Sequence, residues 1–437
     1  MSQIDYIVKP GGQLSGEFRV PGDKSISHRS IMFGAIADGT TRVTGFLQGE
    51  DSLNTLRAFR AMGVEIKGPN EQGEVSIYGV GIDGLKQPAG DIDLGNSGTS
   101  IRLMSGLLAG QAFDVVLSGD RSLSKRPMKR VTDPLALMGA RVDTEAGGKP
   151  PLRIQGGSVI KGINYKLPMA SAQVKSCVLL AGMYAEGKTC VTEPAITRDH
   201  TERMLTAFGY PVETNGRQMC IEGGGRLTAC NIDVPADISS AAFFLVGASI
   251  ATKADITLQH VGVNPTRTGV IDILKLMGAN IELLNERIVG GEPVADIRVQ
   301  SAPLKGIDVP DNLVPLAIDE FPVLFVAAAC ADGKTVITGA EELRVKESDR
   351  IQVMADGLLA IGVDCEATAD GMIIKGGTIK GGTVHSRDDH RIAMAFTMAA
   401  LRAESDITIE DCENVNTSFP DFVGIANRAG ITVSIAE

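Results

Sequence analysis

The amino-acid sequence repeats one pattern six times, and that repetition limits the folds open to it. The closing half of the pattern is an apolar helix tail, a glycine and a short strand. It reads FRAMGVEI (59–66), LALMGARV (135–142), LTAFGYPV (205–212), LKLMGANI (274–281), LLAIGVDC (358–365) and IANRAGIT (425–432). Its glycines are Gly63, Gly139, Gly209, Gly278, Gly362 and Gly430, at intervals of 76, 70, 69, 84 and 68 residues. The opening half is a polar cluster that runs into an apolar helix. It begins at Lys24 (KSISHRSIMFGAIADG), Asn96 (NSGTSIRLMSGLLAG), Ser171 (SAQVKSCVLLAGMYAEG), Asp237 (DISSAAFFLVGAS), Asp319 (DEFPVLFVAAACADG) and Asp388 (DDHRIAMAFTMAAL). A fixed period marks a duplicated supersecondary unit, and this unit is longer than a solenoid repeat. Six small α/β subdomains are therefore expected. A left-handed C-cap is expected at the glycine after each helix.

The first helix of each repeat is apolar almost all round. AAFFLVGASIA and PVLFVAAACA offer no solvent face, so these helices should be buried. The strand segments 37–46, 185–194 and 331–340 alternate Val, Ile and Thr with polar residues, as half-exposed strands do. Buried helices with amphipathic strands outside describe an α/β barrel turned inside out. VPGDKS (20–25) and VPADIS (234–239) match in form and open the first and fourth repeats. A chain of 437 residues is long for one core. Two domains of three repeats each are expected, one over 22–235 and one over 236–437 joined by residues 1–21.

Two motifs mislead. GMYAEGKT (182–189) matches the phosphate-loop pattern, but that loop needs a strand before it and a helix after it. Here a helix precedes and a strand follows. Gly79, Gly81 and Gly84 form GxGxxG, but Pro88 lies inside the would-be helix. The five histidines show no zinc-like spacing, so no metal is expected. Net charge is −11, which argues against general affinity for nucleic acid or anionic membranes. No apolar run reaches 18 residues, and residues 1–12 lack a signal-peptide pattern. The seven cysteines are scattered without a CxxC pair, which reads as free thiols in a reducing cytoplasm.

The polar clusters fall at strand-to-helix junctions, where free backbone N–H groups and the helix dipole favour anions. Several junctions also carry cations: Lys24 and Arg29, Arg102, Arg126, Arg198, Lys346 and Arg350, and Arg391. Any one of these reads best as a solvated cap or surface ion pair. The case for function rests on the ensemble. If the ends of two domains meet, such cations make a positive cleft that concentrates small polyanions. Asp319-Glu320 and Glu347 stand among these cations and are candidates for general acid–base work. Asp319 reads equally well as the N-cap of its helix. Gly98 either lets a ligand approach the backbone or makes a tight turn.

The motifs PGDKSISHR (21–29), LGNSGTSIRL (94–103), RPM (126–128), SAQVKS (171–176), ITRDH (196–200), IDEFPVL (318–324), RVKESDRI (344–351), DDHRIAM (388–394) and TSFPDF (417–422) together resemble the 5-enolpyruvylshikimate-3-phosphate synthase family over essentially the whole chain. SAQVKS and ITRDHTERM resemble its weakly glyphosate-sensitive branch. The resemblance implies two inside-out α/β domains and transfer of enolpyruvyl from phosphoenolpyruvate to shikimate 3-phosphate. It implies no cofactor, and a cytoplasmic monomer is expected. By resemblance, shikimate 3-phosphate is held by Lys24, Ser25, Arg29, Ser171, Ala172, Gln173, Arg198, Asp319 and Lys346. Phosphoenolpyruvate is held by Lys24, Asn96, Gly98, Thr99, Arg126, Gln173, Arg350 and Arg391. Lys24, Asp319 and Glu347 are the implied catalytic residues. Two departures stand out. Ala172 replaces a serine common in the family, and Asn416-Thr417-Ser418 lacks a lysine common before that motif. The sister transferase acting on UDP-N-acetylglucosamine carries a reactive cysteine before its counterpart of Arg126, whereas residues 104–129 here contain none. A ring-shaped clamp would need basic helices around a hole, and these helices are apolar.

Overall fold

The computed structural model describes residues 4–436. Twelve α-helices occur among them, two per repeat. In chain order they are α1 (Lys24–Ile36) and α2 (Glu50–Ala61), α3 (Gly98–Ala109) and α4 (Lys129–Leu137), α5 (Ala172–Gly182) and α6 (His200–Ala207), α7 (Ile238–Ile250) and α8 (Gly269–Leu276), α9 (Phe321–Ala329) and α10 (Arg350–Ala360), and α11 (His390–Ala399) and α12 (Phe422–Ala429). The chain divides into two compact units. One is Gly22–Val234; the other joins the segment ending at Pro21 to Pro235–Glu437.

Each repeat has one small sheet with the same pairing rule. In the second repeat the order is Ile92–Asp93, Val115–Ser118, Lys149–Gln155, Arg141–Glu145; the first pair is parallel and the others antiparallel. The third repeat copies this with Asn164–Lys166, Lys188–Thr192, Gln218–Glu222 and Glu213–Asn215. In the first repeat the parallel neighbours of Ala37–Thr44 are Leu227–Thr228 and Asn231–Asp233, so the end of the third repeat joins the sheet of the first.

The other unit is closed by its N-terminal segment. Leu14–Phe18 lies parallel to Ala254–Gly262 in the fourth repeat. Asp5–Val8 lies between Ile407–Glu410 and Val433–Ala436 in the sixth. In the fifth repeat the parallel neighbour shrinks to isolated bridges at Lys305 and Asp308.

The helices form the interior. Every residue of α7 and α9 is buried, as are residues 26–36 of α1. The strands alternate, as in Lys149–Gln155, where Pro150, Leu152 and Ile154 are buried and the residues between them are not. The inside-out α/β architecture thus follows from the placement of apolar residues: helices without a polar face lie inside and half-polar strands cover them.

All six second helices end in the same way. At Gly63 the glycine N–H bonds the Arg60 carbonyl and the next N–H, from Val64, reaches back to the Phe59 carbonyl. The same two bonds recur at Gly139, Gly209, Gly278, Gly362 and Gly430, and all six glycines have φ between +79° and +107°. This is a Schellman motif, which satisfies two orphan carbonyls and favours a residue without a Cβ. Gly106 has a different task. A methyl there would overlap the Cys177 carbonyl oxygen of α5, so it sets how closely α3 and α5 pack.

One expectation is corrected. Cys190 and Cys220 are joined in a disulfide, and the other five cysteines are free thiols. The antiparallel register sets these two residues opposite each other with Cα atoms 4.1 Å apart. Linear spacing gives no sign of such a pairing. The phosphate-loop look-alike is a helix-to-strand turn, because α5 ends at Gly182 and the strand begins at Lys188.

These two kinds of glycine should respond differently to substitution. A methyl at Gly209 would meet no atom closer than 4.0 Å, so Gly209→Ala carries only the left-handed backbone penalty, about 1–2 kcal/mol. Gly106→Ala forces two helix backbones apart, with a loss of about 1–3 kcal/mol. Urea unfolding should show both losses. Asparagine tolerates the left-handed conformation, so Gly209→Asn should be less damaging than Gly209→Ala, whereas Gly106→Asn should be more damaging than Gly106→Ala.

Candidate active site

In the Gly22–Val234 unit, the candidate residues gather at the N-termini of α1, α3, α5 and α6. Asp23 caps α1 by accepting the Ile26 N–H at 2.8 Å, which places Lys24 in its first turn. The Lys24 ammonium is paired with the buried carboxylate of Asp51, in α2. Ser97 caps α3 and leaves Gly98 and Thr99 in its first turn. Ser171 caps α5 by accepting the Val174 N–H, and the hydroxyl still has its own hydrogen to donate.

Side chains join these ends. Gln173 donates to the Thr99 hydroxyl at 3.1 Å and accepts from Arg102 Nη1 at 2.5 Å. Asn96 accepts from Arg126 Nη2 at 2.6 Å and donates to Asp120 at 2.8 Å. A Cβ on Gly98 would lie 2.8 Å from Arg126 Nη1 and 3.2 Å from Arg102 Nη1. Asn96, Gly98, Thr99, Arg126 and Gln173 therefore form one connected group. Arg29 is buried and donates to Thr201, to Ser176 and to the Ser25 carbonyl. Ala172 occupies the first turn of α5, and half-buried Arg198 sits just before α6.

Behind this group lies a buried polar chain. His28 Nδ1 is 2.8 Å from the Thr55 hydroxyl, which is 2.6 Å from Ser100 Oγ. Burial, reinforced by the charges of Lys24 and Arg29, pushes the His28 imidazole well below its ordinary value and keeps it neutral.

In the other unit the centre is Arg350, the first residue of α10, with a side chain only 1 % exposed. Its Nε lies 2.8 Å from Asp389 Oδ2, Nη2 lies 2.7 Å from Glu347 and Nη1 lies 3.4 Å from Asp319. Burial works against this cation, but Asp389, Glu347 and Asp319 outweigh it and raise its hold on the proton. Burial likewise pushes the Asp389 carboxyl up, but Arg350 outweighs it and the net shift is downward. Asp389 also caps α11 by accepting the Arg391 N–H at 3.0 Å, and it takes the Ser348 hydroxyl at 3.0 Å.

Lys346 pairs with Asp319 at 3.3 Å and Glu342 at 2.9 Å. Burial alone would lower its ammonium, yet these two carboxylates leave it above its ordinary value. Arg391 donates to the Asp319 carbonyl at 3.0 Å and lies 3.8 Å from Glu320. Asp319 is not a helix cap. Glu320 holds that position in α9, and the Asp319 carboxylate turns instead to Lys346 and Arg350.

Sequence reasoning did not single out Asp51 or Asp389, the carboxylates that hold Lys24 and Arg350. Asp389 lay in plain view in the DDHR motif, two residues before Arg391. Asp51 had only its place at the start of α2 to mark it. No group of three or more His, Cys, Asp or Glu suited to a metal occurs among the described residues. Among them, too, no helix is long and apolar enough to cross a membrane.

Residues 8–425 match the family model for EPSP synthase (3-phosphoshikimate 1-carboxyvinyltransferase). The chain is 67% identical over 432 residues to the 3-phosphoshikimate 1-carboxyvinyltransferase of Alkalilimnicola ehrlichii, covering 99% of this chain and 97% of that one. It is 65% identical to the enzyme of the same name from Methylococcus capsulatus, covering 99% of each. The solved EPSP synthase of Acinetobacter baumannii superposes with a TM-score of 0.89 at 60% identity, over 100% of both chains.

The neutral state of His28 has a consequence for stability. The unfolded chain binds a proton there below the ordinary imidazole value near 6.5, and the native state does not. Stability is therefore complete above that pH and is lost as pH falls, by about 1.4 kcal/mol per pH unit at most. Denaturant titrations at pH 7.5 and 5.5 should show a smaller acid loss in His28→Asn than in the parent. Equal losses would mean that His28 protonates in place.

Proposed function

We propose a division of labour among these side chains from one premise: the chain belongs to the EPSP synthase family and transfers the enolpyruvyl group of phosphoenolpyruvate to the 5-hydroxyl of shikimate 3-phosphate, releasing phosphate, in the shikimate pathway. Lys24, Ser25, Arg29, Ser171, the backbone at Ala172, Gln173 and Arg198 bind shikimate 3-phosphate, with Asp319 and Lys346. Lys24, Asn96, Gly98, Thr99, Arg126, Gln173, Arg350 and Arg391 serve phosphoenolpyruvate. Arg is suited to both the carboxylate and the phosphate through its paired N–H groups.

Asp319 and Glu347 carry protons in this reading. The 5-hydroxyl loses its proton as its oxygen bonds to C2 of phosphoenolpyruvate, and C3 gains a proton. The resulting tetrahedral intermediate then breaks its C2–O bond to phosphate as C3 gives a proton back. One acid and one base on separate loops suit this sequence. The observation that carries the reading is the shared contact of both carboxylates with Arg350, beside Lys346 and Arg391. Clustered cations also stabilise the charge that develops during transfer.

Phosphate release from shikimate 3-phosphate plus phosphoenolpyruvate tests the activity. Asp319→Asn and Glu347→Gln keep shape and should each lower turnover by about 10²–10⁴-fold. Near-normal turnover in both would leave them as ion-pair partners only. The same reading makes the protein a cytoplasmic monomer, although the Cys190–Cys220 disulfide does not favour a reducing compartment; light scattering would detect any larger assembly.

Glyphosate competes for the phosphoenolpyruvate site in this reading, and inhibition is weak to moderate. Ala172, Arg198 and the missing lysine before Thr417 support that level; the absence of a side chain at Gly98 favours sensitivity. A methyl at position 98 meets the flexible end of Arg126, which can shift. Gly98→Ala should raise the inhibitory concentration of glyphosate, the longer ligand, more than the KM for phosphoenolpyruvate. Equal rises would show that position 98 does not discriminate between the two.

A further inference from the structure

We propose that Lys175, Glu193 and Glu202 form a buried charge cluster that positions Arg198 for the phosphate of shikimate 3-phosphate. The proposal rests on the assignment of Arg198 given above. Lys175 lies in α5 and its side chain is 1 % exposed. Its ammonium is 2.7 Å from Glu202, on α6, and 3.2 Å from Glu193, at the end of the strand Lys188–Thr192. Both carboxylates are also buried. A lone ammonium in such a place would be strongly unfavourable, and so would either carboxylate alone. The three groups thus depend on one another, and they tie α5, α6 and the strand end to a single point.

What hangs from that point is the segment that carries Arg198. Glu193 Oε1 accepts the Thr197 backbone N–H at 3.1 Å, and Oε2 accepts the Thr197 hydroxyl at 2.6 Å. The residues between are poorly covered: Pro194 is exposed and Ile196 is 54 % exposed. The segment therefore gains little from apolar burial, and the Glu193 carboxylate folds it back through Thr197. The next residue is Arg198.

A second link reaches the same cluster. Ser176 follows Lys175 and Thr201 precedes Glu202, and these two hydroxyls lie 2.7 Å apart. Arg29 donates to both, at 3.0 and 2.7 Å. A shift of α6 would therefore disturb Arg29 and Arg198 together. Both are assigned to shikimate 3-phosphate, and neither Lys175 nor the two carboxylates belongs to that set. They are positioning residues.

Steady-state kinetics on four proteins test this: the parent, Thr197→Val, Arg198→Ala and the double variant. Loss of the Thr197 hydroxyl bond should raise the KM for shikimate 3-phosphate about 2–10-fold, with kcat and the KM for phosphoenolpyruvate nearly unchanged. In the Arg198→Ala background the same change should have no further effect, because it acts on the segment that carries residue 198 and leaves the Arg29 bonds to Thr201 and Ser176 in place. The neutral triple variant Lys175→Met/Glu193→Gln/Glu202→Gln should act in the same direction. If it fails to fold, Thr197→Val decides alone. A normal KM in Thr197→Val beside a raised KM in Arg198→Ala overturns the cluster's role. Additive effects in the double variant overturn it as well. An unchanged KM in Arg198→Ala overturns the phosphate assignment itself, and the proposal with it.

Discussion

A helix buried on every side can present polar groups only at its ends. Most features of this protein follow from that constraint. In α7 and α9 each residue is enclosed, so the chain leaves no lateral face for chemistry. Polar residues are pushed to the N-terminal turn, where unpaired backbone N–H groups already need acceptors. Asp23, Ser97, Ser171, Asp237 and Asp389 supply that need as caps of first helices, as Asp349 does for α10, and candidate site residues follow within a few residues of most of them. Six copies of one unit thus provide several polar ends of the same kind. The strands, with one wet face and one dry, serve as the outer cover.

Concentrating cations at these ends creates an electrostatic problem, and both units solve it with paired carboxylates. Lys24 has Asp51, Lys175 has Glu193 and Glu202, Arg267 has Asp237, and Arg350 has Asp389, Glu347 and Asp319. Such pairing offsets the desolvation of both partners without adding much net stability. Its main effect here is geometric. Asp389 fixes Arg350 and the start of α11 at once, so Arg391 inherits its position from the same carboxylate.

Much of this was legible in the sequence because it depends on local pattern. The glycines from Gly63 to Gly430 each fall one or two residues past the end of a helix, and each takes the left-handed conformation that this place implies. The apolar runs after Asp237 and Glu320 predicted enclosed helices, and the motifs spread along the chain identified the family. What stayed hidden depends on contacts between distant residues. Cys190 and Cys220 meet through strand register. Arg350 and Asp389 are 39 positions apart, and no local pattern pairs them. Asp319 could be read as a cap because capping is a one-residue rule, whereas its true partners, Lys346 and Arg350, lie about thirty residues further along the chain.

The acidic balance of the chain, −11 overall, does not oppose anion binding at these ends. Exposed charges more than about 8 Å apart are screened at physiological ionic strength, so a ligand senses mainly the groups it touches. Among those groups Lys24, Lys346 and Arg350 are already matched with carboxylates. In the function proposed here, an arriving phosphate or carboxylate would compete with Asp319 for Lys346, and with Glu347 for Arg350. A ligand anion that takes over either cation leaves the matching carboxylate without that contact. In the function proposed here these two carboxylates are the proton carriers. On that proposal, the contacts that would receive a substrate anion are the same ones that hold these two carboxylates in ion pairs.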